Sequence, residues 1–309
     1  MEEEKLLGSL RDLLRSDDPD VLVGSGPDDC AHVRHGGNIL SMSMDAFVEG
    51  THFTADAAPE DVAYKALAAS LSDLAASGCE PRWALVSLAL RPGLPNDWGQ
   101  RFASGMALAA RECRVSVIGG DLVAAPHDVQ ISVAVAGQPM FGGPVTRAGA
   151  QPGDAIVVSG SLGGSLLGRH LHPQPRIEAM RQIMAFCARH SSRVHAAMDI
   201  SDGLALDLTR LCRESGTGAV VHAHDIPVSD AAVQRASATH KKTIEHALGD
   251  GEDFELLLTL DSEVFTQWLA ESGSQVFTRI GTITGQTGVC IEYEGQTKSM
   301  AAQGWQHIW

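Results

Sequence analysis

The sequence predicts an α+β fold in two domains, and three observations lead to this prediction. Segments with helical spacing of apolar residues alternate with segments of strand-like alternation, without the strict strand–helix–strand repetition of a parallel α/β fold. A glycine- and proline-rich stretch over residues 137–144 interrupts the pattern near the middle of the chain. The length of 309 residues suits two medium-sized domains. We therefore expect an N-terminal domain with a mixed sheet and helices over residues 1–138, and a C-terminal α/β sandwich over residues 139–309.

The N-terminal half contains the clearest helix signal in the chain. From Pro59 to Ser77, apolar and small residues recur at helical spacing. Pro59 occupies the first helical position and Gly78 follows the last one, as is typical of helix ends. The other helices predicted in this half cover residues 5–15 and 97–113, and the predicted strands cover residues 39–45, 84–90, 115–118 and 129–135.

Two of these strands are predicted to deliver a carboxylate at their ends. The alternating segment 39–45 ends on Asp45, and the strand 115–118 is followed by Gly119, Gly120 and Asp121. Because open α/β-type sheets place ligand contacts at the ends of strands, we expect both aspartates to face a ligand.

The C-terminal half is predicted to begin with a short strand over residues 155–159, followed by a glycine-rich turn over residues 160–168. Further helices are predicted over residues 175–190 and 203–214. Strands are expected in the approach to Asp199 and over residues 219–224, 254–260, 275–283 and 289–293. These segments supply the elements of the predicted sandwich.

The charge of the chain limits its partners. With 38 Asp and Glu against 23 Lys and Arg, the formal net charge is −15, so we expect neither a nucleic acid nor an anionic membrane surface as a partner.

The six cysteines are dispersed without a Cys-x-x-Cys pair, and the acidic start lacks the features of a signal peptide. No run of 18 apolar residues exists. We therefore expect a cytoplasmic protein.

Several well-known catalytic motifs are absent from the sequence. The chain has no Gly-Lys dipeptide and hence no P-loop, and it has neither the His-Arg-Asp nor the Asp-Phe-Gly motif of protein kinases. It also lacks the Gly-x-Ser-x-Gly nucleophile elbow. The segment Gly160–Gly164 follows a strand, but it does not match the ordered Gly-x-Gly-x-x-Gly pattern and is read as a tight turn.

Aspartate is the residue type that remains to carry chemistry. A single Asp in a turn or before a helix is explained as a cap of backbone N–H groups, and for Asp202, which precedes Gly203, capping and a functional role are both open. Asp73 differs, because a carboxylate among apolar helix positions is rarely left without a partner or a metal ion. Several carboxylates in one cleft require divalent cations, and oxygen ligands without Cys or paired His select Mg²⁺ or Mn²⁺. The pattern therefore favours phosphoryl chemistry assisted by metal ions.

Seven segments, in order along the chain, resemble those of the thiamine-monophosphate kinases, a family within the aminoimidazole-ribotide-synthetase-like ATP-binding superfamily. The segments are Pro27–Ala31, Ser43–Phe53, Tyr64–Gly78, Ile118–Asp121, Arg147–Asp154, Met198–Leu204 and Gly251–Leu256. Each segment alone is a weak indication, whereas the ordered set spans nearly the whole chain. The resemblance implies ATP-dependent phosphorylation of thiamine monophosphate to the diphosphate by direct in-line transfer. ATP would be the co-substrate, and Mg²⁺, with Mn²⁺ as an alternative, the metal ion.

The resemblance also implies a role for each matching residue. The catalytic residues would be Asp73, Asp121 and Asp202. ATP would be bound by Gly120, Asp121, Arg147 and Ser201. Thiamine monophosphate would be bound by His52, Glu252 and Trp305. The metal ligands would be Asp29, Ser43, Asp45, Asp73, Asp121, Asp199 and Asp202.

The superfamily resemblance further implies a homodimer, in which the N-terminal sheets pack across a two-fold axis with ATP near the interface. The sequence departs from the family pattern at Pro27, Met44 and Asp250 and in a shortened segment over residues 160–175. Two alternatives to the kinase remain open at this point. One is another ATP-dependent enzyme of the superfamily, similar to aminoimidazole-ribotide synthetase, and the other is a catalytically degenerate ATP-binding protein.

Overall fold

The structure is a computed structural model that describes residues 3–273 and 275–306. In this part of the chain, helices α1 to α8 cover Glu3–Leu13, Pro59–Ala76, Trp98–Glu112, Ile177–Arg189, Leu204–Ser215, Asp230–Ala238, Thr243–Gly249 and Ser262–Ser272. Strands β1 to β13 cover Val21–Val23, Ala31–His35, Asn38–Val48, Cys79–Leu90, Ser116–Ala124, Gln130–Pro139, Ala155–Ser159, Val194–Ile200, Gly218–His222, Glu255–Leu260, Phe277–Thr284, Gly288–Tyr293 and Gln296–Ser299.

The first six strands form one mixed sheet in the order β1-β2-β3-β6-β4-β5. The neighbours β4 and β5 are parallel, and the other neighbouring pairs are antiparallel. One face is covered by α2 and α3, and Val133 of β6 is completely buried there. The opposite face exposes apolar side chains, with Met44, Trp83 and Leu85 at 69%, 40% and 48%. The predicted mixed sheet with helices is thus confirmed, with one face left open in the single chain.

The other seven strands form a second sheet in the order β13-β12-β9-β11-β7-β10-β8. Successive residues of β7 serve opposite faces, because side chains alternate along a strand. Val157 packs with Met180 of α4 and Phe265 of α8, whereas Val158 packs with Leu208 of α5. Helices on both faces explain why every residue of β7 is buried, and they confirm the predicted α/β sandwich.

Helix α2 lies between the two halves of the molecule. Fifteen of its 18 residues are buried, most of them Ala, Leu or Ser, and the small side chains let neighbouring elements approach on all sides. Leu71 packs in the core of the N-terminal sheet, whereas Ala75 and Ala76 pack in the core shared by α4 and α8. A helix held by both domains is a rigid support for side chains at their junction.

The structure differs from the sequence-based expectations at two strand ends. β3 continues to Val48 and β5 continues to Ala124, so Asp45 and Asp121 lie inside strands rather than at their ends. Glycine usually weakens a strand, but Gly119 and Gly120 remain paired with Leu85 and Val86 of β4. The prediction that these aspartates terminate their strands was wrong, because pairing of β3 with β6 and of β5 with β4 continues for three residues beyond each aspartate.

No helix in residues 3–273 and 275–306 is both long enough and apolar enough to cross a membrane. The expected domain boundary at residues 138 and 139 coincides with the last residues of β6. That boundary remains a prediction.

Candidate active site

Three aspartates, one each from a loop, a helix and a strand, converge between the two sheets. Asp29 lies just before β2, Asp73 in α2 and Asp199 in β8, and one carboxylate oxygen of each lies within 4.8 Å of the others. Asp29 and Asp73 belong to the N-terminal half, whereas Asp199 comes from the second sheet. The fold therefore assembles this cluster from residues that are far apart in sequence.

Burial and mutual repulsion dominate the electrostatics of the cluster. The pKa of Asp73 is raised well above its ordinary value, first by burial and then by the charges of Asp45, Asp199 and Asp29. The pKa of Asp199 is raised for the same reasons, with burial first and Asp29 next. Burial and the charge of Asp29 also raise the pKa of Asp28 to about 7. A positive charge in this position would relieve all of these costs.

The donor set fits a hard divalent cation. Asp29 Oδ2 is buried and has no hydrogen-bond partner among the described residues, which leaves a ligand atom available. Ser43 donates a short hydrogen bond from Oγ to Asp73 Oδ2, so a hydroxyl adjoins the carboxylates. Clustered carboxylate and hydroxyl oxygens suit Mg²⁺ or Mn²⁺.

One cavity, of about 620 Å³, is lined by the carboxylate cluster and by arginines. Arg147 donates from Nε to Asp29 Oδ1 at 3.1 Å and makes a second, shorter hydrogen bond from Nη2 to the same oxygen. Burial alone would lower the pKa of Arg147, but the charge and hydrogen bonds of Asp29 raise it. Arg210 is paired with Asp202 and Asp207. Guanidinium groups at the edge of a cavity are suited to bind phosphate oxygens in two-point contacts.

A second cavity, of about 420 Å³, is lined by aromatic side chains as well as polar ones. Phe47, His52, Glu252, Phe254 and Trp305 all contribute to its wall. It therefore suits a ligand with an aromatic part and a polar part.

Two of the residues predicted to bind substrate are fixed by hydrogen bonds that involve the backbone. Val48 N–H donates to His52 Nδ1 at 3.0 Å, so in the neutral ring the proton is on Nε2, which acts as a donor. Glu252 has a left-handed φ of 53°, and its N–H donates to the carbonyl of Ser201 at 2.6 Å. A non-glycine residue held in this region marks a backbone position that the surrounding structure enforces.

The two cavities share one wall. Met44, Asp45, Asp73, Asp199, Ser201 and Asp202 line both of them. The carboxylate cluster therefore lies where the contents of the two cavities would meet.

Gly120 and Asp121 are not brought to this cluster within the chain. Asp45, Val133, Val86 and Gly120 form one row across the N-terminal sheet, so Asp45 and Gly120 are three strands, or roughly 14 Å, apart. Asp121 is the next residue along and lies on the opposite, open face, where it is exposed. Of the residues predicted to bind metal, Asp29, Ser43, Asp45, Asp73, Asp199 and Asp202 do line the arginine-containing cavity.

Sequence reasoning missed four residues that contribute to the site. Asp28 and Arg210 line the arginine-containing cavity, Asp207 pairs with Arg210, and the buried Lys65 pairs with Glu252. Lys65 could have been found by the argument used for Asp73, because it is a charged residue among apolar helix positions. The other three depend on tertiary contacts and carry no local signal.

Comparisons with known proteins agree with this architecture. The N-terminal domain of the family described as AIR synthase related protein matches residues 27–139, and its C-terminal domain matches residues 151–294. The thiamine-monophosphate kinase of Rhodopirellula baltica is 36% identical, over 93% of this chain and 91% of the relative. That of Escherichia coli K12 is 32% identical, over 99% and 98%.

Solved structures share the same fold. A structure described as AaThiL complexed with AMPPCP and TMP has a TM-score of 0.85 and 30% identity, covering 99% of this chain and 97% of that chain. A hydrogenase maturation protein HypE, with a TM-score of 0.72 and 20% identity, covers 92% of this chain and 94% of that chain, and it supports the fold alone. By domain content and by sequence, this chain belongs to the thiamine-monophosphate kinase family of AIR synthase related proteins.

Proposed function

We propose that this protein transfers the γ-phosphoryl group of ATP directly to the phosphate of thiamine monophosphate, giving thiamine diphosphate and ADP. A phosphate oxygen of the acceptor forms the new bond to the γ-phosphorus, while the bond from that phosphorus to the bridging oxygen of ADP breaks. The observation that carries the proposal is the wall shared by the two cavities, because it would hold two phosphorylated ligands end to end.

The arginine-containing cavity is the proposed ATP site. Arg147 lies beside the cluster and can form two-point contacts to phosphate oxygens, and Ser201 lines both cavities. A structure of a relative at 30% identity is described as a complex with AMPPCP and TMP, which supports two ligands of these kinds in this fold.

The carboxylate cluster is the proposed metal site. We propose that Asp29, Ser43, Asp45, Asp73, Asp199 and Asp202 hold Mg²⁺, with Mn²⁺ as an alternative, and that Asp73 and Asp202 act at the reacting phosphates through it. Bound Mg²⁺ would neutralise charge on the phosphate oxygens, which is the main catalytic requirement of phosphoryl transfer. Because the carboxylates of the cluster are largely buried, their positions are fixed, and they would hold the metal ion and the phosphates in a defined orientation.

The aromatic cavity is the proposed thiamine monophosphate site. His52 would donate from Nε2, Glu252 would accept a hydrogen bond, and the ring of Trp305, 52% exposed at the cavity wall, would stack on the substrate. A heteroaromatic ligand with a phosphate end would place that end toward the shared wall.

Gly120 and Asp121 enter the proposal through a homodimer. They lie on the edge strand of a sheet whose open face exposes Met44, Leu85 and Ile118. Open apolar sheet faces and unpaired edges favour association. If the N-terminal sheets pack across a two-fold axis, Asp121 can reach the ATP and metal site of the other copy, which it cannot do within its own chain.

The test is a coupled assay for ADP release with ATP and Mg²⁺ over a panel of phosphorylated acceptors. We expect turnover with thiamine monophosphate and not with the substrate of aminoimidazole-ribotide synthetase. Turnover only with the latter would transfer the assignment to that enzyme class. Calorimetric binding of ATP without turnover of any acceptor would instead identify a degenerate ATP-binding protein.

A further inference from the structure

Lys65 is a lysine buried in the middle of α2. Its side chain is 1% exposed, and its neighbours along the helix are Tyr64 and Ala66, both also buried. Burial lowers the pKa of the Lys65 ammonium, and the charge of Glu252 opposes this effect. An ammonium group is costly to bury, so its position requires partners that satisfy it.

Those partners come from two loops on different domains. The Lys65 ammonium donates to the backbone carbonyl of His52 at 2.5 Å and to Glu252 Oε1 at 2.7 Å. His52 follows β3 of the N-terminal sheet, whereas Glu252 precedes β10 of the second sheet. One buried cation therefore joins the two residues that are proposed to contact thiamine monophosphate.

The pairing also determines which atoms of Glu252 are available. Oε1 is engaged by Lys65, and the Glu252 side chain is still 23% exposed at the cavity wall, which leaves Oε2 as the oxygen to face a ligand. The backbone of Glu252 is already fixed by its left-handed φ and by its N–H bond to Ser201. With the backbone and one oxygen both held, the second oxygen is restricted to a narrow set of positions at the cavity wall.

We propose that Lys65 is a positioning residue for the acceptor: it orients the Glu252 carboxylate so that one oxygen is presented to the substrate in the aromatic cavity. This inference rests on the proposed function, since it assigns a role within the thiamine monophosphate site. Lys65 acts through Glu252 and does not touch the reacting phosphates. Its loss should therefore affect acceptor binding far more than ATP binding.

A purely structural role makes a different prediction. If Lys65 only joined the two domains, its removal would loosen both cavities, because both are lined by residues from the two sheets. The KM values for ATP and for the acceptor would then rise together with a loss of stability.

The experiment compares Lys65→Met, Lys65→Arg, Glu252→Gln and the double variant Lys65→Met/Glu252→Gln. The matched control is Lys298→Met, the same substitution at an exposed lysine in β13. For each variant, both KM values, kcat and the thermal midpoint are measured. For Lys65→Met we expect the KM for thiamine monophosphate to rise about tenfold or more, and the KM for ATP to stay within about twofold. Lys65→Arg keeps the positive charge and should recover part of the loss.

The double variant identifies the route of the effect. Once Glu252 is Gln, removal of Lys65 should weaken acceptor binding by no more than about twofold further, because the two residues act as one unit. The double variant leaves no unpaired charge at this position. If Lys65→Met does not fold, the KM for the acceptor is therefore compared between the double variant and Glu252→Gln alone. A further tenfold loss in the double variant overturns the inference.

Two other outcomes are also decisive. A folded Lys65→Met protein with a wild-type KM for the acceptor, or with equal rises in both KM values, contradicts this inference and leaves the proposed function standing. If the wild-type protein neither binds thiamine monophosphate in calorimetry nor phosphorylates it, both the proposed function and this inference fail.

Discussion

Asp73 lies at the centre of the carboxylate cluster, and replacing it separates stability from activity. Asp73→Asn removes one charge from a group of mutually repelling carboxylates, so the protein without metal should melt at a higher temperature, by roughly 2–4 °C for each kcal/mol gained. Turnover should fall at least about 100-fold, because Asn is a weaker ligand for the Mg²⁺ ion that would neutralise the charge on the reacting phosphates. Melting in EDTA and the coupled assay measure the two effects. Asp17→Asn, at an exposed loop position, is the control, and full activity in Asp73→Asn would contradict the metal role.

Asp253 gives a prediction for pH dependence away from the cluster. Its buried carboxylate accepts the Gly163 N–H on both oxygens at 3.0 Å and pairs with Arg169, but burial still raises its pKa to about 7. A raised carboxyl pKa means that the folded state binds the proton more tightly than the unfolded state. This contribution to stability is therefore present below pH 4 and lost as the pH rises to about 7. Asp253→Asn should flatten the decline in melting temperature across this range, and an unchanged slope would disprove the assignment.

For single residues, the sequence identifies a functional candidate where the residue type does not match the pattern of the residues around it. Asp73 stands out because a carboxylate interrupts an apolar helix, and the structure places it in the cluster. Asp28 gives no such signal, because its pKa is raised first by burial, which the tertiary fold supplies, and then by the charge of Asp29. Sequence patterns therefore identify residues that are anomalous locally, but not those made anomalous by the fold.

At the scale of elements, the open face formed by β4 and β5 can be tested as the dimer interface. Leu85, on the neighbouring strand β4, is 48% exposed on the open face of the sheet, and Leu269 of α8 is equally exposed elsewhere. Leu85→Glu should convert a dimer to a monomer in light scattering and greatly reduce turnover, because Asp121 could no longer reach the other copy. Leu269→Glu introduces the same charge at the same exposure and should leave both properties unchanged. A dimer that persists in Leu85→Glu would exclude this face as the interface.

The elements best predicted from sequence are those with strong local signals. The helix predicted over Pro59–Ser77 is observed at Pro59–Ala76, and the strand predicted over residues 155–159 is observed with the same bounds. No local pattern in the sequence predicted α6, α7 or α8, which have 9, 7 and 11 residues. Short helices with a weak apolar periodicity depend on packing against the sheet for their formation, so local patterns do not reveal them.

At the scale of the whole molecule, the two-domain architecture followed from the alternation of elements, whereas the shared wall of the two cavities did not. That wall is formed by residues as distant as Asp45 and Asp202, which only long-range packing brings together. The structure also explains part of the net charge of −15, because several of the acidic residues are concentrated where a cation would bind.

A prediction for the whole molecule follows from this concentration of charge. Mg²⁺ should raise the melting temperature of EDTA-treated protein in a saturable way, because a ligand that binds only the folded state stabilises it. The rise should be much smaller for Asp73→Asn, and Mn²⁺ should replace Mg²⁺. A rise produced equally by NaCl at matched ionic strength would indicate general screening rather than a site.

The ion pair between Arg147 and Asp29 has one more consequence. The same guanidinium that is suited to hold phosphate is already occupied by a carboxylate that is suited to hold metal. A cation that draws Asp29 to itself would release Arg147 for the nucleotide, so the two binding events should be thermodynamically coupled. Coupling of this kind is reciprocal, and each ligand should therefore tighten the other by the same factor. The protein would then bind free ATP weakly until the metal ion has freed the arginine.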